Sequence, residues 1–458
     1  MGETRIASVS GLRGVVGDGF DPIVAVEFAA AYASLIDSPT ILVGHDGRAS
    51  ASTFSRAVSA AIAATGRDVL FCGPIATPTL GFLAKERHCG AVQISASHNP
   101  AEYNGLKFFQ TAGMVLSPAQ GRELLSRVER REFAWSAWNA QGRVRDLIDP
   151  DETHIARVLK FVDVERIRNR AFRVVLDACH GGGGRSARKL LDALGCRTLA
   201  VGETADGLYD HPPEPLEDNL RGLSAIASAV GADLACAQDP DADRLAILDE
   251  SGAYIGEEST LALAVKHRLE HDRGPIVLNL STSRVAEDLA VERDCPVFRA
   301  PVGEVHVVER LIAEKGILGG EGNGGVIDPR VGFVRDSLVA IAWTLDLLAE
   351  SGRKLSEIVA ELPKYAMIKT KFPTGALSVP LLLERIAESC PEATTNRADG
   401  LRLDWPDRWA HVRASNTEPI VRVIAEALDS RAAQTLADRL GRVVLESQSG
   451  RSAAGDSP

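Results

Sequence analysis

The sequence predicts an α/β protein: three related α/β domains with mixed sheets, plus a smaller C-terminal α+β domain, arranged around a central cleft. Two observations carry this. "TILVGHDGRAS" (40–50), "RVVLDACHGGGGRSARKLLDALG" (173–195) and "PIVLNLSTSRVAEDLAV" (275–291) share one grammar. Each is an apolar strand, a polar or glycine-rich turn and a helix-spaced run, the pattern of strand–helix units. Their spacing of roughly 100–130 residues suits three repeated domains. The last ninety or so residues break the pattern. "LRLDWPDRWAHVRASN" and "PIVRVIAEA" alternate as strands, and "SRAAQTLADRLGRVVLES" has the spacing of an amphipathic helix.

The expected divisions are therefore 1–148, 149–252 and 253–368 for the α/β domains and 369–448 for the α+β domain. Residues 449–458, "SGRSAAGDSP", are low in apolar residues and are expected to be a disordered tail. The chain has 458 residues, enough for several cores without staples. Aromatics are only 5%, so those cores must be built from Ala, Val, Leu and Ile. The net charge of −11 argues against a broad grip on nucleic acid or an anionic membrane. It leaves room for a local basic pocket, and the basic residues are mostly arginine, the better fork for phosphate. Seven dispersed cysteines with no Cys-x-x-Cys pair read as reduced thiols rather than a disulfide frame. No run is long and apolar enough for a signal peptide or membrane span, so a cytoplasmic location is expected.

Five stretches carry chemistry. "ISASHNPAEYNGLKF" (94–108) sets Ser97 beside His98, with Lys107 following. Neighbours in an extended chain point apart, so the two are not nucleophile and base to each other. Alone, the stretch reads as a tight turn made by Asn99 and Pro100. "AQDPDADRLAILDE" (237–250) sets Asp239, Asp241 and Asp243 at alternate positions, followed by Arg244. Carboxylates packed this closely repel unless a hard cation such as Mg²⁺ or Ca²⁺ sits among them. An EF-hand needs glycine where Arg244 stands, and the flanks read as strands. "RASNTEPIVRVIAEA" (413–427) offers Arg413, Ser415, Asn416, Thr417 and Arg422, a donor set suited to a phosphate dianion. "GGEGNGGVIDP" (319–329) places Glu321 and Asn323 among glycines, where they can bind hydroxyl groups. In "SGLRGVVG" (10–17), Arg13 reads as part of a glycine-flanked turn. Two further stretches read as structural. "CHGGGGRS" (179–186) fits no nucleotide loop and reads as a close strand-to-helix turn. "HPPEPLEDNL" (211–220) reads as a rigid loop, with Glu214 and Asn219 in support.

In this order and spacing, the serine, aspartate, glycine-rich and arginine stretches resemble the α-D-phosphohexomutase family. The resemblance implies Ser97 as the phosphorylated serine, which joins Asp239, Asp241 and Asp243 as a Mg²⁺ ligand. It implies Lys107, Arg13 and His98 as catalytic groups. Arg244, Glu321, Asn323, Arg413, Ser415, Asn416, Thr417 and Arg422 would bind substrate, and Asp46 and Arg48 would support the site. One departure stands out. Where many members read G-E-x-S-G-H, this chain has Asn323 for the serine and Gly325 for the histidine, which removes one acid/base candidate. The "GEGNGG" form with "PVGEVHV" (301–307) is closer to members grouped with phosphoglucosamine mutases.

The implied reaction interconverts hexose 6-phosphate and hexose 1-phosphate through a hexose 1,6-bisphosphate. Lys107 is expected to have a lowered pKa if it moves protons. Phosphomannomutase and phosphoglucomutase activities share this mechanism. A metal-dependent phosphatase and a non-catalytic sugar-phosphate binder are the rivals. The expected partner is a small hexose phosphate, with no nucleic acid and no membrane, and a homo-oligomer stays open.

Overall fold

In this computed structural model, residues 6–8, 11–374, 378–414 and 420–448 are described. The expected tail lies outside them, as do Ser415, Asn416 and Thr417.

The first sheet is mixed. Its strands run in the order Ile6–Ser8, Gly11–Val16, Tyr103–Phe109, Gly90–Ile94, Thr40–His45, Asp68–Pro74 and Val144–Asp146, and Gly19–Phe20 joins Gly11–Val16 from outside that path. Thr40–His45 pairs in parallel with both Asp68–Pro74 and Gly90–Ile94, and Gly90–Ile94 pairs antiparallel with Tyr103–Phe109. Helix Pro22–Leu35 covers this sheet. It starts where the Asp21 carboxylate accepts the N–H groups of Ile23 and Val24 and proline takes the first turn. Its apolar run is buried on most sides, with Phe28, Ala29, Ala30, Ala31 and Tyr32 all inside.

The second and third sheets repeat one plan. Arg197–Val201, Arg173–Asp177, Leu234–Gln238 and Leu245–Leu248 form the second sheet; Val297–Ala300, Ile276–Asn279, Leu318–Glu321 and Gly325–Ile327 form the third. In each, three strands are parallel and the fourth turns back antiparallel on the third. The centre of the first sheet follows the same plan, with Gly90–Ile94 as third strand and Tyr103–Phe109 as the returning fourth. The serine, aspartate and glycine-rich stretches are thus the same third-to-fourth connection in three copies.

One apolar cluster runs from Leu42 of the first sheet to Leu362, through the second and third. Helix Ser337–Ser351 lies in its middle, with Ser337 through Ala349 all buried, and is apolar on every side for that reason. The C-terminal part keeps its own core, with Leu401, Val412, Val423 and Leu440 fully buried. Its antiparallel sheet runs Ala366–Pro373, Ile420–Ala427, Arg408–Ala414, Leu401–Asp404 and Thr394–Asn396, backed by helices Val379–Glu388 and Ser430–Gln448. The cysteines are all free. Among the described residues, no helix is long and apolar enough to cross a membrane.

Candidate active site

Ser97 sits in a backbone conformation that L-residues seldom adopt, with φ of +52°. Two devices hold it there. Its N–H donates to Ser95 Oγ at 2.8 Å. Arg48, almost fully buried, grips the loop from below: its guanidinium donates to the carbonyl oxygens of Ser97, Asn99, Pro100 and Tyr103 at 2.5, 2.7, 2.5 and 2.9 Å. Asp46 Oδ2, 3.0 Å from Arg48 Nε, balances that buried charge. Ser97 Oγ then donates to Asp239 Oδ2 at 3.0 Å.

The aspartate loop curls so that its carboxylates converge. Ala242 takes φ of +56°, and Arg244 N–H donates to Asp239 Oδ1. Oxygens from Asp239, Asp241 and Asp243 lie within 4.8 Å of one another, and all three side chains are buried. Lys107 Nζ reaches Asp241 Oδ2 at 2.5 Å and Asp243 Oδ2 at 3.0 Å. Thr77 Oγ1 donates to Asp241 Oδ2 at 2.6 Å. The remaining oxygens, Asp241 Oδ1 and Asp243 Oδ1, are buried with no hydrogen-bond donor. Buried, unpaired carboxylate oxygens are costly. Two of them beside a third carboxylate form a hard-oxygen donor set that fits a divalent cation such as Mg²⁺.

Electrostatics follow from this packing. Burial, then Asp243 and Asp241, push the Asp239 carboxyl well above its ordinary value. Burial also opposes ionisation of Asp243, but Arg335, Lys107 and Arg244 outweigh it and hold Asp243 well below. Lys107 departs from expectation. Burial would lower its pKa, but Asp241 and Asp243 outweigh burial and raise it, so the ammonium is kept. Arg13 is a second correction. It lies on strand Gly11–Val16 rather than in a turn, and its guanidinium donates to Asn99 Oδ1 at 3.1 Å. His98 Nδ1 is 3.4 Å from Ser97 Oγ, and burial with Arg244 and Arg13 pushes its pKa down to about 2. The ring is therefore neutral at ordinary pH. Glu214 lies 3.9 Å from His98 Nε2 and 3.7 Å from Arg244 Nη1, and its carbonyl accepts from Asn219.

The glycine-rich stretch meets this cluster from the third sheet. A side chain at Gly324 would stand 2.3 Å from the Leu245 carbonyl oxygen, and Leu245 N–H donates to Gly324 O. Glu321 Oε1 accepts from Asn279 Nδ2 at 2.8 Å and from Gly303 N–H at 3.0 Å. Asn323 Oδ1 is buried without a donor, a fit for a ligand hydroxyl. The sequence reading missed Arg335. Its guanidinium bonds both Asp243 and Glu321, and so ties the aspartate loop to the glycine-rich loop. A lone arginine in "VGFVRDSL" carries no local signal for that. Thr77, Asn279 and Glu304 were missed for the same reason.

In the C-terminal sheet, Arg413 lies directly opposite Arg422, and Arg422 opposite Lys371. Three like charges in one cross-strand row are unfavourable without an anion. Arg413 and Arg422 lie on the strands that precede and follow residues 415–419 in the sequence. Arg413 Nε faces Asp399 Oδ2 at 3.3 Å, and Asp399 Oδ2 also accepts from Val302 N–H. Neither Arg413 nor Arg422 is hydrogen-bonded to the aspartate cluster among the described residues.

The chain matches four successive domain descriptions: phosphoglucomutase/phosphomannomutase α/β/α domains I, II and III over residues 4–135, 152–252 and 257–365, and the C-terminal domain over 368–443. It belongs to the phosphoglucomutase/phosphomannomutase family. A phosphoglucomutase/phosphomannomutase of Thermococcus kodakarensis is 34% identical over 96% of this chain and 98% of its own. A probable phosphoglucosamine mutase of Methanopyrus kandleri is 34% identical over 95% of this chain and 96% of its own. A crystal structure of a family protein from Burkholderia thailandensis has a TM-score of 0.85 at 24% identity, covering 97% of this chain and 98% of that one, and so shares the fold. The protein is a phosphohexomutase, an isomerase that transfers phosphate within a sugar phosphate.

Proposed function

We propose that this phosphohexomutase works through phosphorylated Ser97 and a hexose 1,6-bisphosphate, with glucosamine phosphate as preferred substrate. The observation that carries the mechanism is Ser97 Oγ, held in a strained loop 3.0 Å from a buried aspartate whose two neighbours keep unpaired oxygens. Asp239, Asp241, Asp243 and Ser97 would hold Mg²⁺. Bound there, Mg²⁺ would offset charge on the phosphoserine, about −1.5 to −2 near neutral pH.

Phospho-Ser97 faces the free hydroxyl of a hexose phosphate. The phosphorus–Oγ bond breaks as a bond to the sugar oxygen forms, and the hydroxyl proton ends on Ser97 Oγ. The bisphosphate turns round, and Ser97 takes back the other phosphoryl group by the reverse step. Arg13 and Lys107 balance charge on the transferring oxygens. Neutral His98 accepts or donates at the serine oxygen. Arg244, Glu321 and Asn323 hold the sugar. Arg413 and Arg422, with Ser415, Asn416 and Thr417 between them in the sequence, anchor the phosphate that is not reacting. Because phosphate looks alike from either end, one anchor serves both orientations of the intermediate.

The names of relatives support the sugar assignment, since the Methanopyrus kandleri relative is called a probable phosphoglucosamine mutase. Structures of Aspergillus fumigatus N-acetylphosphoglucosamine mutase, at TM-scores of 0.52 and 0.53, hold GlcNAc-6P with magnesium and glucose 1,6-bisphosphate. The test is coupled turnover of glucosamine-, glucose- and mannose-phosphates with catalytic bisphosphate. We expect the highest kcat/KM for glucosamine phosphate and a loss of at least about 10⁴-fold for Ser97→Ala. Full mutase rate in the alanine variant would overturn the mechanism. A higher kcat/KM for glucose or mannose phosphate would overturn the sugar assignment.

A further inference from the structure

Gly325 and Arg335 compete for one volume. A Cβ placed on Gly325 would stand 2.3 Å from Arg335 Cδ and 2.9 Å from Cγ. No side chain fits at 325 while the arginine keeps its place. The stem of Arg335 fills that room instead. Its guanidinium ends among three carboxylates: Nη2 donates to Asp243 Oδ2 at 2.6 Å, Nη1 to Glu321 Oε2 at 2.5 Å and Nε to Glu304 Oε2 at 3.2 Å. The Arg335 side chain is 10% exposed.

The consequences can be followed atom by atom. Asp243 Oδ2 is taken by Arg335 and Lys107, which leaves Oδ1, without a hydrogen-bond donor and 3.9 Å from Arg244 Nε, as the oxygen that would meet a cation. Glu321 Oε1 is taken by Asn279 and Gly303, and Oε2 by Arg335. A carboxylate has about four acceptor directions, so Glu321 keeps roughly one for a sugar hydroxyl. That direction is fixed by the same planar fork that orients Asp243. A lysine could not do this, because its ammonium is a point charge on a flexible stem.

We propose that Arg335 is the positioning residue that sets the sugar-reading carboxylate of Glu321 at a fixed distance from Asp243, and that position 325 is glycine in order to admit it. The proposal rests on Asp243 holding the metal and Glu321 reading the sugar. Arg335 acts through those two residues and touches neither phosphate nor sugar itself.

The test is kcat and KM, with melting temperature, for Arg335→Lys, Gly325→Ala, Glu321→Gln and the Arg335→Lys/Glu321→Gln double variant. Misplacement by about 1 Å can cost about 100-fold, so Arg335→Lys should lose about that in kcat, with KM within about threefold. Gly325→Ala keeps every charge but pushes the guanidinium aside. It should lose about tenfold in kcat and melt within a few degrees of wild type. The double variant should fall little below the worse single variant, because both changes break one link. Losses that multiply, or a rate within about threefold of wild type in Arg335→Lys or Gly325→Ala, would overturn the proposal. If Arg335→Lys does not fold, Gly325→Ala decides the question alone. Ser97→Ala separates this idea from its foundation. A dead Ser97→Ala beside fully active Arg335→Lys and Gly325→Ala sinks only the positioning role, whereas an active Ser97→Ala sinks the phosphoserine mechanism.

Discussion

Arg48 shows how much of this site depends on residues that never meet substrate. Four carbonyl oxygens of the serine loop converge on its guanidinium, and Asp46 completes the pair. Arg48→Ala would leave Asp46 buried and uncompensated and the loop carbonyls without donors. We expect a loss on the order of 3 kcal/mol in urea unfolding, together with failure to phosphorylate Ser97. Arg48→Lys should recover little, since one ammonium cannot serve four carbonyls. The aspartate cluster gives a second outcome at this scale. Chelation with EDTA should abolish turnover, with recovery on adding Mg²⁺. Asp241→Asn keeps the shape but removes a charge, and should raise the Mg²⁺ concentration needed for half-activity by tenfold or more, on the order of 1.4 kcal/mol per tenfold change.

At the scale of elements, the glycines of 181–184 are spacers between domains. A Cβ at Gly182 would stand 2.5 Å from the Ile75 carbonyl oxygen and 2.9 Å from that of His45, and Gly182 N–H donates to Pro240 O. The strand-to-helix turn read from "CHGGGGRS" is present. Its glycines are also required because the aspartate loop and the first domain press on it from both sides. Gly182→Ala should therefore cost at least about 2 kcal/mol and lower turnover with it, as measured by melting and coupled assay together. This contrast explains what was legible in the sequence. Ser97, Asp239, Asp241, Asp243 and Lys107 were legible because their chemistry is concentrated within a few residues. The strand–turn–helix grammar was legible because burial imposes its period. Arg335, Thr77 and Glu304 were not, because each acquires its role from partners far away in sequence, and a single arginine or threonine reads the same wherever it falls. The strand placement of Arg13 was hidden by its flanking glycines, which read as a turn. Yet Gly11 and Gly105 are small because the Gly11–Val16 and Tyr103–Phe109 strands run close: a Cβ on either would strike backbone.

Across the whole molecule, the C-terminal domain is docked through polar contacts. His411 Nε2 donates to the Asp399 carbonyl of its own domain at 2.6 Å, so its Nδ1 accepts from Ser281 Oγ across the boundary at 2.8 Å; Arg402 donates to the Leu280 carbonyl, and Arg284 Nη1 donates to those of Trp405 and Pro406. Burial pushes the His411 pKa down to about 4. The unfolded ring titrates near 6.5. This histidine's contribution to stability is therefore complete above about pH 6.5 and is lost as pH falls toward 4. His411→Gln should flatten that part of the pH–stability curve. Glu258 runs the other way. Burial raises its carboxyl to about 8, so its contribution is complete below the ordinary carboxylate range and is lost as pH rises toward 8. Glu258→Gln should gain stability relative to wild type by on the order of 1 kcal/mol per pH unit between about 5 and 8, as read by melting across that range.

Three of the working loops leave their sheets at the same place, where the third strand hands over to the antiparallel fourth. One socket thus occurs three times in the molecule with three different loops mounted on it. On the proposed mechanism one copy would carry the phosphoryl group, one the cation and one the grip on the sugar. Strand pairing sets where each loop leaves its sheet, and buried side chains such as Arg48 and Arg335 then fix its shape. A change of sugar preference is therefore sought first at Asn323, because a Cβ at Gly322 would stand 2.0 Å from Glu258 Oε1 and one at Gly324 2.3 Å from the Leu245 carbonyl oxygen.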